Sequence, residues 1–222
     1  MRKNFAIRLA RRAAALRESR SGVAMTEFAL VLPILMAFGM YGLEIAYMAS
    51  IEMQVSQLAV SVADNASRME QTNNSGVTPS VTEADIDSVL DGGISQGSGF
   101  KLSANGRIIL TSLEKDTASG KQYIHWQRCR GSLAKNSFYG NQTNKNGLTG
   151  TPLTGMGPAG KKITAAAGSA VMFAEVYYKY QGIFGDMFVK NKTFKGEAAF
   201  LIRDIRNVTG GVTGTGSKSP CP

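Results

Sequence analysis

Cysteine and histidine are nearly missing from this sequence, and their scarcity removes whole classes of chemistry. Cys129 and Cys221 stand far apart with no C-x-x-C pair, and His125 is the single histidine. Neither a zinc site nor a thioredoxin-like dithiol is therefore expected. One disulfide, Cys129 to Cys221, formed in an oxidising compartment, is preferred over two free thiols. His125 alternates with Trp126 in a strand-like run, with no serine, cysteine or carboxylate at motif spacing, which favours a structural role. Glu175 and Asp204 read as solvated or salt-bridged carboxylates, not as an acid and base pair. The glycines of "TGMGPAGKK" and "TGTGSKSP" lack the preceding strand and following helix that a phosphate loop requires. No catalytic residue, metal ligand or cofactor is assigned, and an enzyme is not expected.

Acidic residues are scarce mainly at one end. Residues 1–22 hold seven cations (Arg2, Lys3, Arg8, Arg11, Arg12, Arg17, Arg20) against Glu18, a net +6 of the chain's +9. The remaining 200 residues hold 18 Lys/Arg and 15 Asp/Glu. Basicity thus belongs to the N-terminus, and the body lacks the cationic stripe that nucleic acid would need. With 222 residues the chain has room for one ordinary domain and something smaller.

Charge is absent altogether from "FALVLPILMAFGMYGL", the 16 residues Phe28 to Leu43. Past Glu44 the apolar character resumes, so Phe28 to Tyr47 supplies the roughly 20 residues that cross a bilayer. Basic residues precede this span and none follows until Arg68. That asymmetry predicts a cytoplasmic N-terminus and an outer C-terminal body. No A-x-A-like site follows the apolar run, so cleavage there as a secretory signal peptide is not expected.

The helical pattern continues outward. Met48, Ile51, Val55, Leu58 and Val62 step by three and four residues, with Gln54, Ser56, Gln57 and Ser61 off the stripe. This predicts one helix from about Thr26 to Met69, on the order of 65 Å long. The stripe packs either on the protein's own outer domain or on a partner helix. Gly42, Ala46 and Ser50 also place small residues at the spacing that lets membrane helices approach closely.

Gly22 is followed by "VAMTEF" and a long apolar helix, which resembles a type IV prepilin signal. The longer stretch "MTEFALVLPILMAFGMYGLEIAYMAS", with a second glutamate late in the span, is similar to the TadE-like family of tight-adherence pilus systems. The resemblance covers about residues 21–63. It implies a peptidase that cuts between Gly22 and Val23, and a register or assembly role for Glu27, Phe28 and Glu44. A carboxylate in the membrane costs about 2.5–3.5 kcal/mol and usually has a partner. The α-amine released at Val23, in the same or a neighbouring subunit, would supply one to Glu27. Otherwise Glu27 snorkels to the cytoplasmic interface beside Arg20.

After Met69, "EQTNNSGVTPS" has linker composition. Thr82 is placed to N-cap a short helix "EADIDSVLDG", with Gly92 just past its end. Strands are expected at Arg107–Leu113, Gln122–Cys129, Ala170–Tyr180 and Ala198–Arg206. In the third, alternation puts Met172, Ala174, Val176 and Tyr178 on one face with Glu175 and Lys179 opposite, the mark of a half-buried antiparallel strand. The glycine-rich segment 131–162 is either a mobile surface loop or a part that meets a partner.

The expected fold class is α+β: a basic leader over 1–22, a transmembrane and extended helix over 23–69, and an extracytoplasmic domain over 70–222. That domain carries a mostly antiparallel sheet of about four strands and a short helix. The family resemblance implies a minor pseudopilin of a pilus machine, held in the inner membrane by one span with its C-terminal domain in the periplasm. Its partners would be pilin-like subunits, the inner-membrane platform and, where the leader is removed, a prepilin peptidase. The competing reading is an uncleaved single-pass protein whose outer domain binds a ligand or envelope component.

Overall fold

The computed structural model describes residues 14–15, 21–69, 78–214, 216 and 219–221. Most of the expected basic leader, Arg20 included, and most of the expected linker lie outside them. The chain divides into two compact units, Met1–Ala46 and Tyr47–Pro222.

Helix α1, Ser21–Ala66, runs 46 residues. It is the one helix among the described residues long and apolar enough to cross a membrane. In the first unit its apolar side chains face outward: Val23, Phe28, Leu30, Ile34, Phe38 and Leu43 are all exposed. Water would penalise such a surface, whereas hydrocarbon accepts it. Pro33 lies inside the helix; it lacks the N–H that would bond the Ala29 carbonyl, a defect that membrane helices tolerate.

In the second unit the C-terminal part of α1 is a core element. Ile51, Val55, Leu58, Ala59, Val62, Ala63 and Ala66 join one buried cluster with Ile86, Leu90, Leu110, Ala174, Val176 and Tyr178. Of the two partners open to the stripe, the structure chooses the protein's own domain. Helix α2, Glu83–Gln96, begins with the capping box formed by Thr82 and Asp85. It does not stop at Gly92 but runs on to a C-cap at Gly97. Gly93 serves packing instead: a Cβ there would stand 2.8 Å from both Val62 and Ile108. A short 3-10 turn Ser98–Phe100 and helix α3, Leu102–Asn105, lead into the sheet.

Strands β1 (Gly106–Lys115), β2 (Gln122–Arg130), β3 (Ala170–Lys179) and β4 (Thr193–Leu201) form one antiparallel sheet in the order β2-β1-β3-β4. The last strand starts five residues before the sequence pattern places it. Beyond Ile202, whose N–H still donates to the Ala170 carbonyl of β3 at 3.1 Å, the chain leaves the sheet and two arginines cap α1: Arg203 N–H donates to the Ser67 carbonyl at 2.9 Å. Arg206 Nη2 donates to the Ala66 carbonyl at 3.1 Å while pairing with Asp204. The end of a helix has carbonyls without helical donors, and a guanidinium suits their negative dipole end.

β3 is not half-buried. All its residues from Ala170 to Tyr178 are buried, because the segment between β2 and β3 covers the second face. Tyr139, Leu153, Met156 and Ala165 pack there on Leu113, Val171 and Phe173. The domain therefore has three layers: helices, sheet and an irregular cover.

Candidate functional site

The residues singled out at the N-terminus lie on the first helical turns of α1. Thr26 Oγ1 donates to the Val23 carbonyl at 2.8 Å, a local bond that satisfies the hydroxyl within the helix. Glu27 and Phe28 are exposed, and a Cβ on Gly22 would meet nothing within 4 Å. Glu44 differs from both: it is fully buried.

The second face of the sheet holds a polar cluster that sequence reasoning missed. Glu175 in β3 is 0 % exposed and sits across from Glu197 in β4. Two carboxylates side by side require a cation, and Lys195, two residues before Glu197 and so on the same face, supplies it. Its Nζ pairs with Glu197 and lies 3.7 Å from Glu175. It also sits 5.1–5.6 Å from the ring centroids of Phe138, Tyr139 and Tyr177, within cation–π range.

Hydrogen bonds extend the cluster into the covering segment. Ser137 Oγ and the Phe138 N–H donate to Glu175. Tyr177 OH donates to Glu175 at 2.8 Å and Tyr139 OH to Glu197 at 2.7 Å. Burial pushes the Glu175 carboxyl above its ordinary value, with these donors and Lys195 pulling the other way. Burial likewise raises the Tyr139 and Tyr177 phenols. Lys195 and Glu197 stand two residues apart in the sequence, but only the pairing of β3 with β4 brings them to Glu175. Their partners in 131–162 could not be inferred locally.

On the helix side, a β-bulge shapes a second cluster. The β1–β2 register pairs Ser112 with Trp126 and Leu113 with Ile124, leaving His125 as the extra residue. Bulges re-aim side chains, and His125 Nδ1 lies 2.9 Å from Glu114 Oε2. Glu114 also accepts from Ser112 Oγ at 2.9 Å and Tyr123 OH at 3.2 Å. The Glu114 hydrogen bond raises the His125 imidazole above its ordinary value, against an opposing effect of burial. Burial, with the Glu114 charge behind it, pushes the Tyr123 phenol up to about 12. Serine and histidine both address the carboxylate instead of each other, so the arrangement differs from a nucleophile and base.

Cys129 and Cys221 are joined in a disulfide. It fastens the C-terminal segment to β2, where Cys129 N–H also donates to the Ser219 carbonyl at 2.8 Å. Ser219 Oγ donates in turn to Asp87 of α2.

Residues 22–68 match the family model described as TadE-like protein. No curated protein and no solved structure matches the chain.

Proposed function

From its TadE-like N-terminal segment, we propose that the chain is a structural assembly component of a tight-adherence, type IV-like pilus, acting as a membrane-anchored minor pseudopilin. The observation that carries the reading is the match over residues 22–68 falling on a helix whose first part presents an apolar surface. A family of this kind is structural and not enzymatic, and its members work beside other pilus components. In this reading the span Phe28 to Tyr47 anchors the protein in the inner membrane. The basic leader holds the N-terminus in the cytoplasm, and the domain beyond lies in the periplasm.

Processing between Gly22 and Val23 by a prepilin peptidase would release an α-amine near Glu27. That amine would neutralise an otherwise costly intramembrane charge and set the axial register of packed pilin-like helices. Glu44, late in the span, would serve the same packing, and the inner-membrane platform would be the third partner.

Intact mass of the purified chain and pilus yield test the proposal together. The expected results are a chain starting at Val23, loss of processing in Gly22→Leu, and reduced pili with normal membrane insertion in Glu27→Ala. A chain beginning at Met1 with normal pili from the Glu27→Ala strain would favour an uncleaved single-pass protein with a ligand-binding outer domain.

A further inference from the structure

Between β2 and β3 the chain runs 39 residues without one aspartate or glutamate, yet with four lysines: Lys135, Lys145, Lys161 and Lys162. This charge asymmetry is local, since the rest of the outer domain is close to balance. The same segment folds around an open cleft of about 720 Å³, a size that holds a molecule of a few rings.

The cleft is built, not left over. Asn141 Oδ1 accepts from the N–H groups of Thr143, Asn144 and Lys145, and Asn146 Oδ1 accepts from those of Leu148 and Thr149. Two wall positions need glycine. Gly140 (φ +125°) and Gly155 (φ +125°) have left-handed backbone, and a Cβ would stand 2.0 Å from the Lys145 carbonyl oxygen and 2.7 Å from the Ile163 one, respectively. Gln122 clamps the far end, exchanging two hydrogen bonds with the Ala165 backbone at 2.7 and 2.9 Å.

Its lining combines three chemistries. Phe138 is 80 % exposed at the cleft, its ring in T-shaped contact with Tyr139 and with Lys195 Nζ 5.3 Å from its centroid. Asn144, Thr151 and Thr154 supply amide and hydroxyl groups, and Lys145 and Lys162 supply positive charge. Lys162 Nζ donates to Thr154 Oγ1. Among the described residues neither lysine sits in an ion pair.

We propose that this cleft binds an acidic polysaccharide. A sugar ring has an apolar C–H face that stacks on an exposed aromatic, and a rim of hydroxyls that matches amides and threonines. Carboxylate or sulfate substituents would answer two lysines that have no acidic neighbour in the lining. A nucleic-acid strand fits less well, because it requires a continuous track of cations along its backbone. The inference is independent of the pilus reading, since it rests on the outer domain alone.

Titration of the full-length chain in non-ionic detergent tests it, using an oligouronate, a neutral glucan of equal length and an oligothymidylate as probes. The oligouronate should bind in a salt-dependent manner and at least about tenfold more tightly than the neutral glucan. Phe138→Ala and the exposed pair Lys145→Gln with Lys162→Gln should each weaken it about tenfold, with unchanged urea midpoints showing that the fold is intact. Equal binding of acidic and neutral glycans, tighter binding of the oligothymidylate, or no effect of either folded variant would overturn the proposal. Absence of oligouronate binding at millimolar concentration would do the same.

Discussion

A Cβ atom placed on Gly196 would stand 2.6 Å from the carbonyl oxygen of Val55, so β4 and the C-terminal part of α1 meet with no room for a side chain. Valine is a better strand former than glycine, and propensity alone would predict that Gly196→Val stabilises β4. The contact predicts the reverse, a loss of about 1–3 kcal/mol from overpacking. Urea unfolding in detergent checks it, with Thr193→Val, at an exposed position of the same strand, as the control that should cost little.

The disulfide closes a long loop, with 92 residues of separation between Cys129 and Cys221. In the chain-entropy account such a loop contributes on the order of 4–5 kcal/mol. Reduction, or Cys221→Ser, should lower the urea midpoint and release the C-terminal segment from β2 and from Asp87. Faster hydrogen exchange at the Cys129 N–H, which donates to the Ser219 carbonyl, would report the release. An unchanged midpoint, with free thiols in the mass of the untreated protein, would count against the clasp.

Glu175 joins the covering segment to the sheet. Glu175→Leu would keep the bulk of the side chain but leave Ser137 Oγ, the Phe138 N–H and Tyr177 OH without their acceptor. A loss of about 1–3 kcal/mol is expected, the usual cost of stranded buried donors. Hydrogen exchange should rise at Phe138 and Tyr139 before it rises in β1. Uniform acceleration across the sheet would show instead that the cover and the sheet open as one.

These effects mark the boundary of what the sequence discloses. The apolar run, the heptad stripe beyond it and the strand alternation at 107–113, 122–129 and 170–180 placed α1 and three of the four strands from local pattern. β4 overlaps the expected strand but starts earlier, because Lys195 and Gly196 look like loop residues until Lys195 is seen to neutralise two carboxylates and Gly196 to clear α1. Arg203 to Arg206 look like strand, yet Arg203 and Arg206 cap a helix distant in sequence. The salt-bridged reading of Glu175 holds through Lys195, but alternation alone puts it on an open face, because nothing in β3 announces that residues 131–169 will fold over it. Each miss concerns a contact between segments far apart in the chain, where tertiary packing overrides local preference.

The Glu114–His125 pair predicts a pH dependence with a definite sign. Because the folded imidazole has a raised pKa, its stabilising contribution is complete below the ordinary histidine value of about 6.5 and is lost as pH rises through the folded value. Unfolding free energy should therefore decline across that window, and His125→Gln should flatten this part of the profile. His125 is the only histidine in the chain, so its ring Cε1–H resonance can be followed by NMR without assignment. Glu114→Gln removes the charge while keeping a side chain able to accept a hydrogen bond, so it should return the midpoint of that titration toward the ordinary value. A midpoint in the Glu114→Gln variant equal to that of the unaltered protein would mean that the bulge aims His125 at Glu114 without electrostatic consequence.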